Sequence, residues 1–128
     1  MAGELILIVE DHEKNRKLVR DVLQAKGYRT LETETAEEGI QVARESSPAL
    51  ILMDIQLPGL DGYEATRRIK GNPALRHIPI IVVTSYALSG DDVKAFEAGC
   101  DAYVTKPFVP RELLAKVREY LGKAEAGA

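Results

Sequence analysis

Three short runs of uninterrupted apolar residues, Leu5-Ile6-Leu7-Ile8-Val9, Leu50-Ile51-Leu52-Met53 and Ile80-Ile81-Val82-Val83, constrain the fold of this chain more than any other feature. Each is strand-sized and aliphatic, and none alternates with polar residues as a strand with one wet face does. They predict central strands of a parallel sheet covered on both faces. Between them helical spacing takes over. Leu18, Val19, Val22 and Leu23 form one apolar stripe, and Leu113, Leu114, Val117, Tyr120 and Leu121 form another, as covering helices require. Gly27 can end the first helix at positive φ, and Thr35 with Glu38 has capping-box spacing at the start of a later one. Arg29 to Thr33 and Ala102 to Thr105 are weaker strand segments, leaving helices near 13–26, 35–46, 63–71, 91–98 and 110–121. This alternation predicts an α/β fold, a doubly wound five-stranded parallel sheet with five helices, whose ligands bind beyond the carboxyl ends of the strands.

The 128 residues suit one domain with a real core. A net charge of −3, with cations scattered among acids, argues against direct nucleic-acid or membrane partners. A lone cysteine, Cys100, excludes an internal disulfide and fits a reducing cytoplasm. The start lacks a basic signal region and no apolar run is span-length, so a soluble cytoplasmic protein is expected. The domain is expected over 4–121, with 122–128 a short flexible tail and no effector domain.

At the carboxyl ends of the expected strands stand Glu10 and Asp11, Asp54, Thr84 and Lys106. Singly, each has an ordinary structural role: the acid pair as a helix cap, Asp54 as an Asx turn before Pro58-Gly59, Lys106 as a solvated amine. Together they converge on one crevice. Three crowded carboxylates stay ionised only with a cation among them, and hard oxygen ligands favour Mg²⁺, with Asp11 and Asp54 as direct ligands. Lys106 can neutralise a phosphate and the Thr84 hydroxyl can donate to it. Phosphoryl transfer needs positioning, charge stabilisation and an in-line nucleophile, a role Asp54 can take by forming an acyl phosphate.

The segments Ile-Val-Glu10-Asp11, Leu-Ile-Leu-Met-Asp54-Ile-Gln-Leu-Pro-Gly-Leu-Asp-Gly, Val-Val-Thr84 and Ala-Tyr103-Val-Thr-Lys106-Pro107-Phe108 resemble, in order and spacing, the response regulator receiver domains of two-component signalling, the CheY-like superfamily. Within it the chain is similar to stand-alone cell-division regulators of the DivK kind. The resemblance covers residues 4–121 and implies a flavodoxin-like strand order 2-1-3-4-5. It implies that Asp54 is the phosphoacceptor and that Asp11, Asp54 and the Gln56 backbone carbonyl bind Mg²⁺, Glu10 doing so through water. Thr84 and Lys106 then contact the phosphoryl group, Thr84 and Tyr103 form the switch, and Pro107 follows a cis peptide. The implied donor is a histidine kinase or histidine phosphotransfer protein. A downstream protein target is expected on the face of the fourth helix, fifth strand and fifth helix. Gln56 and Tyr86 are placed to flank the water that hydrolyses the acyl phosphate. Such a chain is a phosphoacceptor switch rather than an enzyme, catalysing only its own phosphotransfer and autodephosphorylation.

Two other functions fit less well. A haloacid-dehalogenase-like phosphatase needs a second aspartate two residues after its nucleophile, where Gln56 stands and cannot shuttle a proton. A nucleotide-binding fold needs a glycine-rich first turn, where Glu10 and Asp11 stand. His12 and His77 receive no role, and Phe96 reads as a packing residue.

Overall fold

A computed structural model describes residues 3–84, 94, 96–106 and 109–126. Its strands are β1 (Leu5–Val9), β2 (Arg29–Thr33), β3 (Leu50–Asp54), β4 (Ile80–Thr84) and β5 (Ala102–Thr105). They form one parallel sheet in the order β2-β1-β3-β4-β5. Helices α1 (Glu13–Ala25), α2 (Ala36–Ser46), α3 (Gly62–Lys70) and α4 (Pro110–Ala126) complete the described elements. The chain is thus the flavodoxin-like doubly wound fold that the alternation and the resemblance implied, with four helices among the described residues in place of the five expected. The missing one, near 91–98, falls largely outside them; Lys94, Phe96 and Glu97 are helical. Tyr86, Pro107 and Phe108 also lie outside the described residues.

Every residue of β3 and β4 is buried, and β1 is buried after Leu5, so the unbroken apolar runs sit where both faces are covered. One core packs Leu7, Val9, Ile51, Met53 and Val82 against α2 and α3; the other packs Ile6, Ile8, Leu50, Leu52 and Ile81 against α1 and α4. Alternate residues of each strand serve opposite cores, as the period-two geometry demands. Edge strand β2 carries the mixed pattern that made it harder to read. Cys100 is buried, and burial followed by the nearby Asp101 pushes its thiol up to about 11; it is a packing residue.

Helix boundaries have local causes. The Thr35 hydroxyl accepts from the Glu38 amide at 3.2 Å, and the Asp61 carboxylate accepts from Glu64 at 2.9 Å, each satisfying a first-turn donor. Gly27, at φ 89°, closes the turn after α1. The backbone of α4 continues to Ala126, past the expected end at Leu121, since Lys123 to Ala126 are good helix formers that outweigh one glycine.

One glycine places the functional end of β3. Gly62, in the first turn of α3, packs directly on the chain leaving that strand. A Cβ there would run into the Asp54 carbonyl oxygen and lie 2.7 Å from Ile55 Cα. The Gly62 amide donates to the Ile55 carbonyl at 3.0 Å, which fixes the approach. Gly62→Ala is therefore expected to lower stability by about 2–3 kcal/mol through overpacking. Urea unfolding measures this; an unchanged midpoint would show that α3 can move away freely.

Candidate functional site

The carboxyl ends of β1, β3, β4 and β5 deliver Glu10, Asp54, Thr84 and Lys106 to one crevice, with Asp11 one residue further along the first loop. Glu10, Asp54 and Thr84 are each only 3% exposed. Burying two carboxylates is costly unless they are paired, and the pairing comes from the far edge of the sheet. The Lys106 ammonium lies 3.0 Å from Glu10 Oε1 and 3.2 Å from Asp54 Oδ2. Its backbone amide donates to the Thr84 carbonyl at 2.7 Å, tying it to β4. Asp54 Oδ1 accepts from the Gln56 amide at 3.2 Å, and Glu10 Oε2 accepts from the His12 amide at 3.1 Å.

Carboxylate oxygens of Glu10, Asp11 and Asp54 all lie within 4.8 Å of one another. With Lys106 as the ammonium between two of them, three negative charges and one positive leave −2. A divalent cation cancels that remainder. Asp11 adds a second sign: its Oδ1 is buried and accepts no hydrogen bond among the described residues, as expected of an oxygen reserved for a ligand. An all-oxygen donor set of this kind suits a hard cation. The ionisation of the cluster reflects the same crowding. Burial, then the neighbouring Asp54, raises the pKa of Glu10 against the opposing pull of His12 and Lys106. For Lys106 burial acts downward, but Glu10 and Asp54 outweigh it and the net shift is upward, so the group stays an ammonium at neutral pH.

Residues 6–118 match the family described as the response regulator receiver domain. This chain belongs to that family. It is 45% identical to the polar-differentiation response regulator DivK of Brucella ovis over 119 residues, covering 93% of this chain and 97% of that protein. A putative response regulator from Chloroflexus aurantiacus superposes with a TM-score of 0.90 at 31% identity, over 94% of this chain and 98% of that one. The receiver domain of a Pseudomonas aeruginosa sensor histidine kinase, solved with a magnesium ion coordinated in its active-site cleft, gives 0.88 at 37% identity, covering 94% of this chain and 99% of its own. The receiver is accordingly a two-component phosphoacceptor signalling domain, and its three-carboxylate cluster fits a metal site.

The structure brings the expected acids, Thr84 and Lys106 together. It seats Tyr103 on β5, level with Val82 of β4. Phe96 packs edge to face on the Tyr103 ring, centroids 5.9 Å apart, yet remains 49% exposed, so its packing role covers only part of its surface. Sequence reasoning missed Gly62 and Arg16, whose guanidinium donates to the Glu10 carbonyl at 2.9 Å. It also did not foresee Lys106 bridging Glu10 and Asp54. No helix among the described residues is long and apolar enough to cross a membrane.

The formal charge of −2 on Glu10, Asp11, Asp54 and Lys106 together has a stability consequence. Asp11→Asn removes one of three crowded like charges, so in metal-free buffer it is expected to stabilise the receiver by about 1 kcal/mol. Denaturation in the presence of a chelator tests this; a destabilised variant would mean that the Asp11 charge is already compensated.

Proposed function

We propose that Asp54 is the phosphoacceptor, receiving a phosphoryl group from a histidine kinase or histidine phosphotransfer protein, with Mg²⁺ held by Asp11, Asp54 and the Gln56 carbonyl and, through water, by Glu10. The observation that carries this reading is the buried Asp54 carboxylate facing both the Lys106 ammonium at 3.2 Å and the acid cluster. A carboxylate oxygen of Asp54 attacks phosphorus as the P–N bond to the donor imidazole breaks, and the ring nitrogen leaves with the electron pair. Bound Mg²⁺ supplies charge neutralisation for the transferring group. Lys106 then moves its ammonium from the carboxylates to a phosphoryl oxygen, and the Thr84 hydroxyl donates to another. The Gln56 amide keeps Asp54 oriented through the step. Gln56 has no proton to shuttle, which suits slow self-dephosphorylation rather than turnover of other phosphate esters.

Acetyl phosphate with Mg²⁺ should label the wild-type chain at one position and leave Asp54→Asn unlabelled in intact-mass analysis. A variant that acquires the same phosphorylated mass would place the acceptor elsewhere.

The output reading follows from the chemistry. Drawing Thr84 toward the phosphate vacates space into which the Tyr103 ring turns, and the changed surface is read by a downstream protein. A groove of about 610 Å³ between β5 and α4, lined by Phe96, Tyr103 and Tyr120, supports this face as the reader's site. A partner that prefers the turned-in ring tenfold needs only about 1.4 kcal/mol of differential affinity. Thr84→Ala is expected to accept phosphate yet respond weakly. The readout is the Tyr103 chemical shift with and without beryllofluoride; a wild-type response in Thr84→Ala would remove this coupling route.

A further inference from the structure

Arg16 stands in the first turn of α1, yet its side chain is only 16% exposed. Nη1 donates to the Glu10 carbonyl at 2.9 Å, Nε lies 3.4 Å from Glu32 Oε1, and Nη1 lies 3.7 Å from Glu34 Oε1. The β1–β2 ladder ends at the pairing of Val9 with Thr33. Just beyond it the Glu10 amide still donates to the Thr33 carbonyl at 3.0 Å. The carbonyl of Glu10 takes its donor from Arg16 instead. Glu10 is thus held from β2 twice, directly through Thr33 and indirectly through Glu32 and the guanidinium. The next residue is Asp11, whose buried Oδ1 has no hydrogen-bond partner among the described residues to draw it inward. The restraint shown next to it is on the Glu10 backbone, which carries the Asp11 peptide.

We propose that Arg16 is a positioning residue for the metal site. It clamps the Glu10–Asp11 peptide so that the Asp11 carboxylate is presented to the acid cluster before a cation arrives. This rests on the reading above that Asp11 ligates Mg²⁺. The clamp makes a prediction opposite in sign to simple electrostatics. Arg16 is a cation near the site, so deleting its charge alone should make Mg²⁺ bind more tightly. Losing the clamp should make binding weaker, as loss of an outer partner of a metal ligand does.

The test is calorimetric titration of Mg²⁺ into the whole chain, with thermal midpoints recorded alongside, for wild type, Arg16→Met, Arg16→Gln, Arg20→Met and Asp11→Asn. Arg20 also pairs with Glu32, at 3.3 Å, but among the described residues no hydrogen bond links it to the acid loop. It therefore controls for lost charge and lost helix–strand pairing. Arg16→Met should bind Mg²⁺ about tenfold more weakly, while Arg20→Met keeps wild-type affinity whatever its midpoint. Equal or tighter binding by Arg16→Met, or the same loss in Arg20→Met, overturns the clamp. Should Arg16→Met lose its cooperative thermal transition, the polar Arg16→Gln is read by the same criteria, its side chain being too short to span the gap. Asp11→Asn separates the two claims. If it binds as wild type, the metal-site reading itself falls; if it loses Mg²⁺ while the Arg16 variants do not, only the clamp falls.

Discussion

The Lys106 ammonium spanning Glu10 and Asp54 is the contact on which the functional end of this molecule depends. It joins the carboxyl end of an edge strand, β5, to those of β1 and β3 near the centre of the sheet, and it makes two buried carboxylates tolerable. It also leaves the site poised. One ammonium against three carboxylates is an incomplete balance, and the formal −2 that remains is what a divalent cation would cancel. The parallel sheet explains why such an arrangement sits here. All five strands point the same way, so every loop that follows a strand opens on the same edge, and residues distant in sequence meet there without further machinery.

Supporting contacts show how a loop end is made rigid enough for chemistry. Glu10 is held at its amide by Thr33, at its carbonyl by Arg16, and at its two carboxylate oxygens by Lys106 and His12. Asp54 sits over the close approach of Gly62, with one oxygen on the Gln56 amide. Among the described residues, Asp11 of the acid cluster keeps one buried oxygen, Oδ1, without a hydrogen-bond partner. A fully satisfied neighbour beside an unsatisfied buried oxygen fits a preorganised binding site, in which fold stability is given up locally to keep one oxygen available.

What could be read from residue order follows physical lines. β1, β3 and β4 were legible because burial on both faces leaves unbroken apolar runs, and their bounds in the structure differ from the expected ones by at most a terminal polar residue. The acids, Thr84 and Lys106 were legible as a constellation because each closes a strand. Arg16 was not, because an arginine on an exposed-looking first turn carries no mark of which carbonyl it will reach. Gly62 was hidden for a related reason: its requirement comes from a close approach to Asp54 that only the packed α3 creates. Lys106 was expected to meet phosphate and Asp54; it meets Glu10 as well, a contact set by the sheet's width rather than by any spacing along the chain.

One divalent cation should complete the charge of this crevice before it occupies any other acidic group among the described residues. Mn²⁺ titrated at substoichiometric amounts into the isotopically labelled chain, with amide line broadening followed by nuclear magnetic resonance, tests it most directly. Broadening should begin at Glu10–Asp11 and Asp54–Gln56 and be reversed by excess Mg²⁺. Broadening that starts instead along the acidic first turn of α2, at Glu37 and Glu38, or that Mg²⁺ fails to reverse, would contradict it.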